Sequence, residues 1–180
     1  WDGGYANNWT TKAFKDYAGT LPLERDHAGP SQGHKEDDGY TSLTHDCDYF
    51  DFIHIDPWKK YPNHKEGLQW TLDMIKFCYN KNPSVRYEIG TEESIRPFNP
   101  EELHTLIGDL QQKLEEPIFK QIKYAVIQSG TSVKENTNTG IYNQEKLTQM
   151  LKAVKSYKLL SKEHNGDYLD PKLLKEKMSL

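Results

Sequence analysis

Leu21-Pro22-Leu23-Glu24-Arg25-Asp26-His27 is a short run that ends in an acid beside an imidazole. An adjacent carboxylate and imidazole where a strand runs out is a common way to set a metal site next to a proton donor. Three further segments repeat the arrangement of an apolar run followed by polar groups. They are Phe50-Asp51-Phe52-Ile53-His54-Ile55-Asp56, Val85-Arg86-Tyr87-Glu88-Ile89-Gly90 and Ile122-Lys123-Tyr124-Ala125-Val126-Ile127-Gln128. Polar groups gathered at the ends of successive strands are what a parallel α/β protein uses to make an active site.

Outward from these runs, the remaining elements alternate with them. Residues 10–18 read as a helix, capped by Thr10 or Thr11 and ended by Gly19. The first strand ends at Asp26-His27, and residues 28–39 are a long polar, Gly-rich loop. Residues 40–48 are a short helix or turn, and residues 50–56 a second strand that Pro57 closes. Leu68, Leu72, Ile75 and Tyr79 recur at spacings of three and four, which predicts a helix over 67–80. After the third strand, 85–90, Asn99 as cap and Pro100 at the first helical position start a helix to about Leu114. The fourth strand is 121–128, a helix runs from Asn143 to about Val154, a weaker fifth strand spans 158–163 before His164, and Pro171 begins a last helix. Such alternation gives parallel strands joined by right-handed crossovers.

The chain has 180 residues, enough for one domain with a real core, and shows no internal domain boundary. Hydrophobic residues make up 35%, but an aromatic content of 12% argues against disorder. A net charge of −4 gives no basic footprint for nucleic acid. No apolar run approaches the roughly 20 residues that span a membrane, and there is no signal-peptide pattern. Cys47 and Cys78 form no CxxC motif and read as reduced thiols of a cytoplasmic protein. The chain opens on Trp1 and ends in a helix-like run at Leu180, which suggests a piece of a longer protein.

The strand ends place Asp26, His27, Asp56, Glu88, Glu92, Glu93, Gln128, Ser129, His164, Asn165 and Asp167 toward one face. Imidazoles with carboxylates suit zinc or a similar divalent ion. Glu88 lies inside a strand, where an ionised carboxylate is costly unless paired. His54, mid-strand, reads as a packed, hydrogen-bonded histidine, and His34, His45, His64 and His104 as surface residues. The small-residue turn Gln128-Ser129-Gly130-Thr131-Ser132 offers backbone N–H groups and hydroxyls to a phosphate.

In order, these pieces resemble the class II aldolase superfamily, most closely the non-catalytic subunit of D-tagatose-1,6-bisphosphate aldolase (GatZ/KbaZ type). Asp26-His27-Ala28-Gly29-Pro30 looks like that family's DHxGP, Ile53-His54-Ile55-Asp56 like its IHLD, and Glu88-Ile89-Gly90-Thr91-Glu92 like its IGTE. Val126-Ile127-Gln128-Ser129-Gly130-Thr131 is similar to its VVQPG, Glu163-His164-Asn165-Gly166-Asp167-Tyr168 to its AHSTDY, and Gly3-Gly4-Tyr5 to a GGYTGMT stretch. The resemblance covers about residues 3–168.

It implies a (β/α)8 TIM barrel of which residues 1–180 are a partial, single-domain stretch covering about strands three to seven, incomplete at both ends. It also implies a zinc-dependent aldehyde-lyase acting on a phosphorylated ketose such as tagatose or fructose bisphosphate. His27, His164 and Glu88 would serve the metal, Asp26 would exchange the proton, and Glu92 would be a general base. Asp56, Gln128, Ser129 and Gly130 would meet substrate. The partners implied are the sugar phosphate, a homo-oligomer or an aldolase partner subunit, with no nucleic acid and no membrane. Catalytic members carry a third zinc histidine where this sequence has Gln128, and their glycine-rich phosphate loop is not matched by Asn165-Gly166-Asp167. Two rivals therefore stand beside the lyase: a non-catalytic subunit that stabilises a true aldolase, and an unrelated parallel α/β protein with a structural Asp26-His27 pair.

Overall fold

The computed structural model describes residues 8–33 and 37–179. The likeness drawn at Gly3-Gly4-Tyr5 and the reading of His34 lie outside these residues. Five strands, β1 (Glu24–Ala28), β2 (Phe52–Ile55), β3 (Arg86–Ile89), β4 (Ile122–Ile127) and β7 (Leu160–Glu163), form one all-parallel sheet in that spatial order. The chain is an α/β protein built around a partial parallel barrel: the alternation predicted the parallel strands, and the family resemblance implied the barrel. Helices α1 (Thr11–Ala18), α2 (Tyr40–Tyr49), α3 (His64–Lys81), α4 (Pro100–Lys113), α6 (Gln144–Ser156) and α7 (Pro171–Met178) alternate with the strands. Among the described residues, no helix is long and apolar enough to cross a membrane.

The helix starts follow the expected chemistry. Thr10, Asn63, Asn143 and Asp170 each accept a backbone N–H of the following turn. Asn99 and Glu102 form a reciprocal capping box around Pro100. Two features carry no strong sequence signal and are additions to the reading above. One is a single helical turn, α5 (Glu116–Phe119). The other is an antiparallel hairpin of two-residue strands, β5 (Val133–Lys134) and β6 (Thr137–Asn138), inserted between β4 and α6.

Strand residues alternate between two environments. Ile53, Ile55, Tyr87, Ile89, Ala125 and Ile127 face outward and pack with Leu68, Leu72, Ile75, Leu106, Ile107, Leu110, Leu147, Met150 and Val154 of the helices. Each Leu, Ile, Val or Met among them contributes about 1.5–3 kcal/mol when fully buried. The other face carries Glu24, Asp26, His54, Glu88, Lys162 and His164. It is concave. In a flat sheet four gaps of about 4.8 Å would hold the outer strands roughly 19 Å apart, yet Lys162 Nζ of β7 lies 3.2 Å from Glu24 Oε2 of β1. Phe52, Arg86 and Tyr124 are half-buried on this interior face and Leu160 is 59% exposed, so the barrel interior is open.

Candidate functional site

Neighbours along a strand point to opposite faces, so Asp26 and His27 could not share a site in a regular β1. The register between β1 and β2 breaks between Arg25 and Ala28, and His27 takes φ 45°, the left-handed region that non-glycine residues rarely occupy. The bulge turns both side chains toward the concave face, while Arg25 points outward to Asp46 of α2, 4.0 Å away. Gly29 follows because a Cβ there would collide with the Asp56 carbonyl.

Three imidazoles meet at the C-terminal ends of the strands. Ring centroids lie 4.8 Å apart for His27 and His54, 4.9 Å for His27 and His164, and 5.3 Å for His54 and His164. With Asp26 they form a group whose ligand atoms all lie within 4.8 Å of one another, able to hold a metal ion.

The hydrogen bonds around the rings decide which nitrogens are bare. His27 Nδ1 lies 2.7 Å from Asp56 Oδ2. Asp56 is fully buried and also accepts from the Thr91 hydroxyl at 2.9 Å and the Trp58 N–H at 3.1 Å. An ionised acceptor there puts the proton on Nδ1 and leaves Nε2 bare, facing Asp26 at 3.8 Å and Glu92 at 4.0 Å. His54 Nε2 lies 3.0 Å from the Gly90 carbonyl oxygen, which only accepts, so Nε2 carries the proton. Its Nδ1 then faces Asp26 Oδ1 at 3.2 Å, Glu88 Oε1 at 3.4 Å and the His27 N–H at 3.4 Å. His164 Nε2 sits 3.1 Å from Glu88 Oε1 and 4.0 Å from Asp26 Oδ1.

Charge follows this geometry. Burial would raise the Asp26 carboxyl, but the hydrogen bond with His54 and the charges of His27, His164 and His54 hold it well below the usual carboxylate range. Glu88 has its burial outweighed by His164, His54 and Lys162, and drops to about 2. His54 has its burial outweighed by the bond with Asp26 and the charges of Glu88 and Asp56, and rises. Glu88 Oε2 is buried without a well-directed hydrogen bond, meeting Lys162 Nζ as an ion pair at 2.8 Å. In the neutral rings His27 Nε2 and His54 Nδ1 carry no proton, and with His164 facing the same carboxylates and a poorly satisfied buried carboxylate oxygen they make a donor set that fits a divalent cation.

The sequence-derived residues fall into three groups. Asp26, His27, Glu88, Glu92 and His164 come together as expected. Asp56, expected to meet substrate, stands buried behind His27. Gln128, Ser129 and Gly130, also expected at substrate, are buried or occupied. Gln128 donates to the carbonyls of Thr91 and Arg96, each at 2.9 Å, and accepts the Phe98 N–H at 2.7 Å, latching the loop that follows β3. Ser129 and Thr131 hydroxyls bond Glu163, and the Gly130 N–H donates to Glu93 at 2.8 Å. The anion-binding groups of this turn are thus satisfied by the protein's own carboxylates.

His54 is a packed, hydrogen-bonded histidine, and it is also the third imidazole of the cluster. Its strand alternation with Asp56 was the available signal. Two other described histidines stand elsewhere: His64 pairs with Asp109 at 3.5 Å and His104 contacts Tyr157. Cys47 and Cys78 are free and buried.

No protein-family model matches the chain, and no curated protein matches it. Among solved structures it is similar to a crystal structure described as a probable tagatose 6 phosphate kinase from Sinorhizobium meliloti 1021. The two share 19% identity and a TM-score of 0.78 over 99% of this chain and 52% of that one. The likeness is one of fold, and this chain spans about half the length of that one.

Proposed function

We propose that this chain belongs to a metal-dependent aldehyde-lyase of carbohydrate metabolism, of the class II aldolase type, that cleaves or forms a C–C bond in a phosphorylated ketose. The observation that carries the reading is the meeting of His27, His54 and His164 around Asp26 at the C-terminal mouth of the curved sheet. The motif order supports it. The similar structure's description speaks of tagatose 6 phosphate, a phosphorylated ketose and so the same class of compound.

Zinc, or a similar divalent ion held by His27, His54 and His164 with Asp26 or Glu88, would supply Lewis-acid polarisation of the substrate carbonyl. The protein's own groups do the rest. Asp26, ionised and 55% exposed on the side of the cluster, takes a proton from the substrate hydroxyl in cleavage and returns it in condensation. Asp56 fixes the His27 ring, and Gly90 fixes the His54 ring. Glu92, 4.0 Å from His27 Nε2, would be the general base that abstracts a proton beside the carbonyl.

A specific observation favours a second reading. Gln128, in place of a third family histidine, has its amide fully used by backbone, and the adjacent turn is filled by Glu163 and Glu93. A non-catalytic subunit that stabilises an aldolase would keep the barrel with this turn closed. Aldol cleavage of a ketose bisphosphate, followed by reducing the triose product, separates the two. The lyase reading expects turnover that Asp26→Asn lowers by about 10²–10⁴-fold. Absence of turnover by the metal-loaded full-length protein without a partner would favour the subunit.

A further inference from the structure

Three carboxylates crowd the floor of the concave face. Glu24 and Asp26 come from β1 and Glu88 from β3. Lys162, two residues before His164 on β7, reaches all of them: Glu88 Oε2 at 2.8 Å, Glu24 Oε2 at 3.2 Å and Asp26 Oδ1 at 3.7 Å. Among the described residues, no other lysine or arginine pairs with these acids. The acids also feel each other. Burial first, and then the charge of Glu88, raise the Glu24 carboxyl. Glu88 is completely buried, and an uncompensated charge at such a position is strongly destabilising.

Two cations are thus available to the same acids: the ammonium of Lys162 and a divalent ion at the imidazoles. With the imidazoles neutral, as a bound metal requires, three carboxylate charges are balanced by one lysine and one divalent ion together, and by neither alone. We infer that Lys162 is a built-in counter-cation that bridges β1, β3 and β7 and lets the site fold before a metal is bound. It is a positioning residue: by holding Glu88 Oε2 it turns Oε1 toward His54 Nδ1 and His164 Nε2. Removing the ammonium transfers its task to the metal, and folding becomes metal-dependent. The inference rests on the metal site proposed above.

The test is thermal unfolding of the full chain with chelator and with zinc chloride, for wild type, Lys162→Met and Lys162→Arg. Without metal, Lys162→Met is expected to melt roughly 6–20 °C below wild type, with Lys162→Arg close to wild type. Zinc is expected to raise the Tm of Lys162→Met by more than that of wild type. If Lys162→Met does not fold without metal, recovery on refolding with zinc supports the inference and failure to recover overturns it. Lys162→Met combined with Glu24→Gln removes one acid with the lysine and is expected to regain part of the metal-free Tm. Equal zinc-induced shifts in wild type and Lys162→Met overturn the counter-cation role while leaving the metal site standing. No zinc response in either overturns both.

Discussion

Asp56 Oδ2 lies 2.7 Å from His27 Nδ1, and the Thr91 hydroxyl holds the same oxygen from behind at 2.9 Å. The chain Thr91–Asp56–His27 sets the tautomer and angle of one imidazole whose Nε2 faces the cluster. An orienting carboxylate of this kind is worth about 10–100-fold in metal affinity. Asp56→Asn is therefore expected to weaken divalent-ion binding by about that factor while the protein stays folded, as read by competition with a chromophoric chelator. Unchanged affinity would mean that His27 does not bind through Nε2.

The next expectation separates sequence logic from structural logic. By the resemblance to class II aldolases, Gln128→His would supply the histidine that their catalytic members carry at this position. By geometry, it breaks three hydrogen bonds that latch the loop after β3. The structure predicts a loss of roughly 2–4 kcal/mol in stability and no gain in metal affinity. Denaturant unfolding and metal titration on the same variant decide it. A tighter site would show that position 128 swings to the imidazoles.

These two residues also mark where sequence reading was sufficient and where it was not. The parallel order, the helix starts and the convergence of Asp26, His27, Glu88 and His164 follow from local signals: alternation, caps and polar strand ends. His54 as a member of the cluster does not, because a mid-strand histidine has the same local signature whether its nitrogens meet backbone or a site. Asp56 and Gln128 sit on the expected elements, but their partners are Thr91, Trp58, Phe98 and Arg96, fixed by loops whose path no periodicity encodes. The bulge that turns Asp26 and His27 to one face is likewise a tertiary event, paid for by positive φ at His27. The curl of the sheet, implied by the family resemblance but by no local pattern, shows in the Lys162–Glu24 ion pair.

Asp46 gives a pH prediction away from the site. It is fully buried on α2, both carboxylate oxygens lack hydrogen bonds, and Arg25 is 4.0 Å away. Burial, only partly offset by Arg25, pushes its carboxyl up to about 6 from 3.8. A raised folded-state value means the stabilising form is the protonated one, fully present below about pH 4 and lost as pH climbs through about 6. At about 1.4 kcal/mol per unit the loss is about 3 kcal/mol. Asp46→Asn is expected to be more stable than wild type in urea at pH 7.5, and to lose most of that advantage at pH 4. Equal or lower stability at pH 7.5 would show that the pair with Arg25 outweighs the burial cost.

His54 supplies a second pH effect, of the same sign, in the metal-free protein. Its raised value means that the charged ring stabilises the fold below the ordinary 6.5 and that this increment disappears as pH rises through the folded value. A divalent ion replaces the lost positive charge, and metal binding displaces ring protons. The zinc-induced rise in Tm should accordingly be larger at pH 8 than at pH 6. A larger rise at pH 6 would contradict the assignment of His54 to the site.

The central claim is a shared metal centre made from strand ends far apart in sequence, and its most direct measure is metal content. Full-length protein, purified without chelator, is analysed by elemental mass spectrometry beside His27→Ala, His54→Ala and His164→Ala. The account predicts about one divalent ion per chain in the wild type and a large loss in all three folded variants. A folded wild type with no bound metal after incubation with zinc, or variants that retain it, would contradict the account.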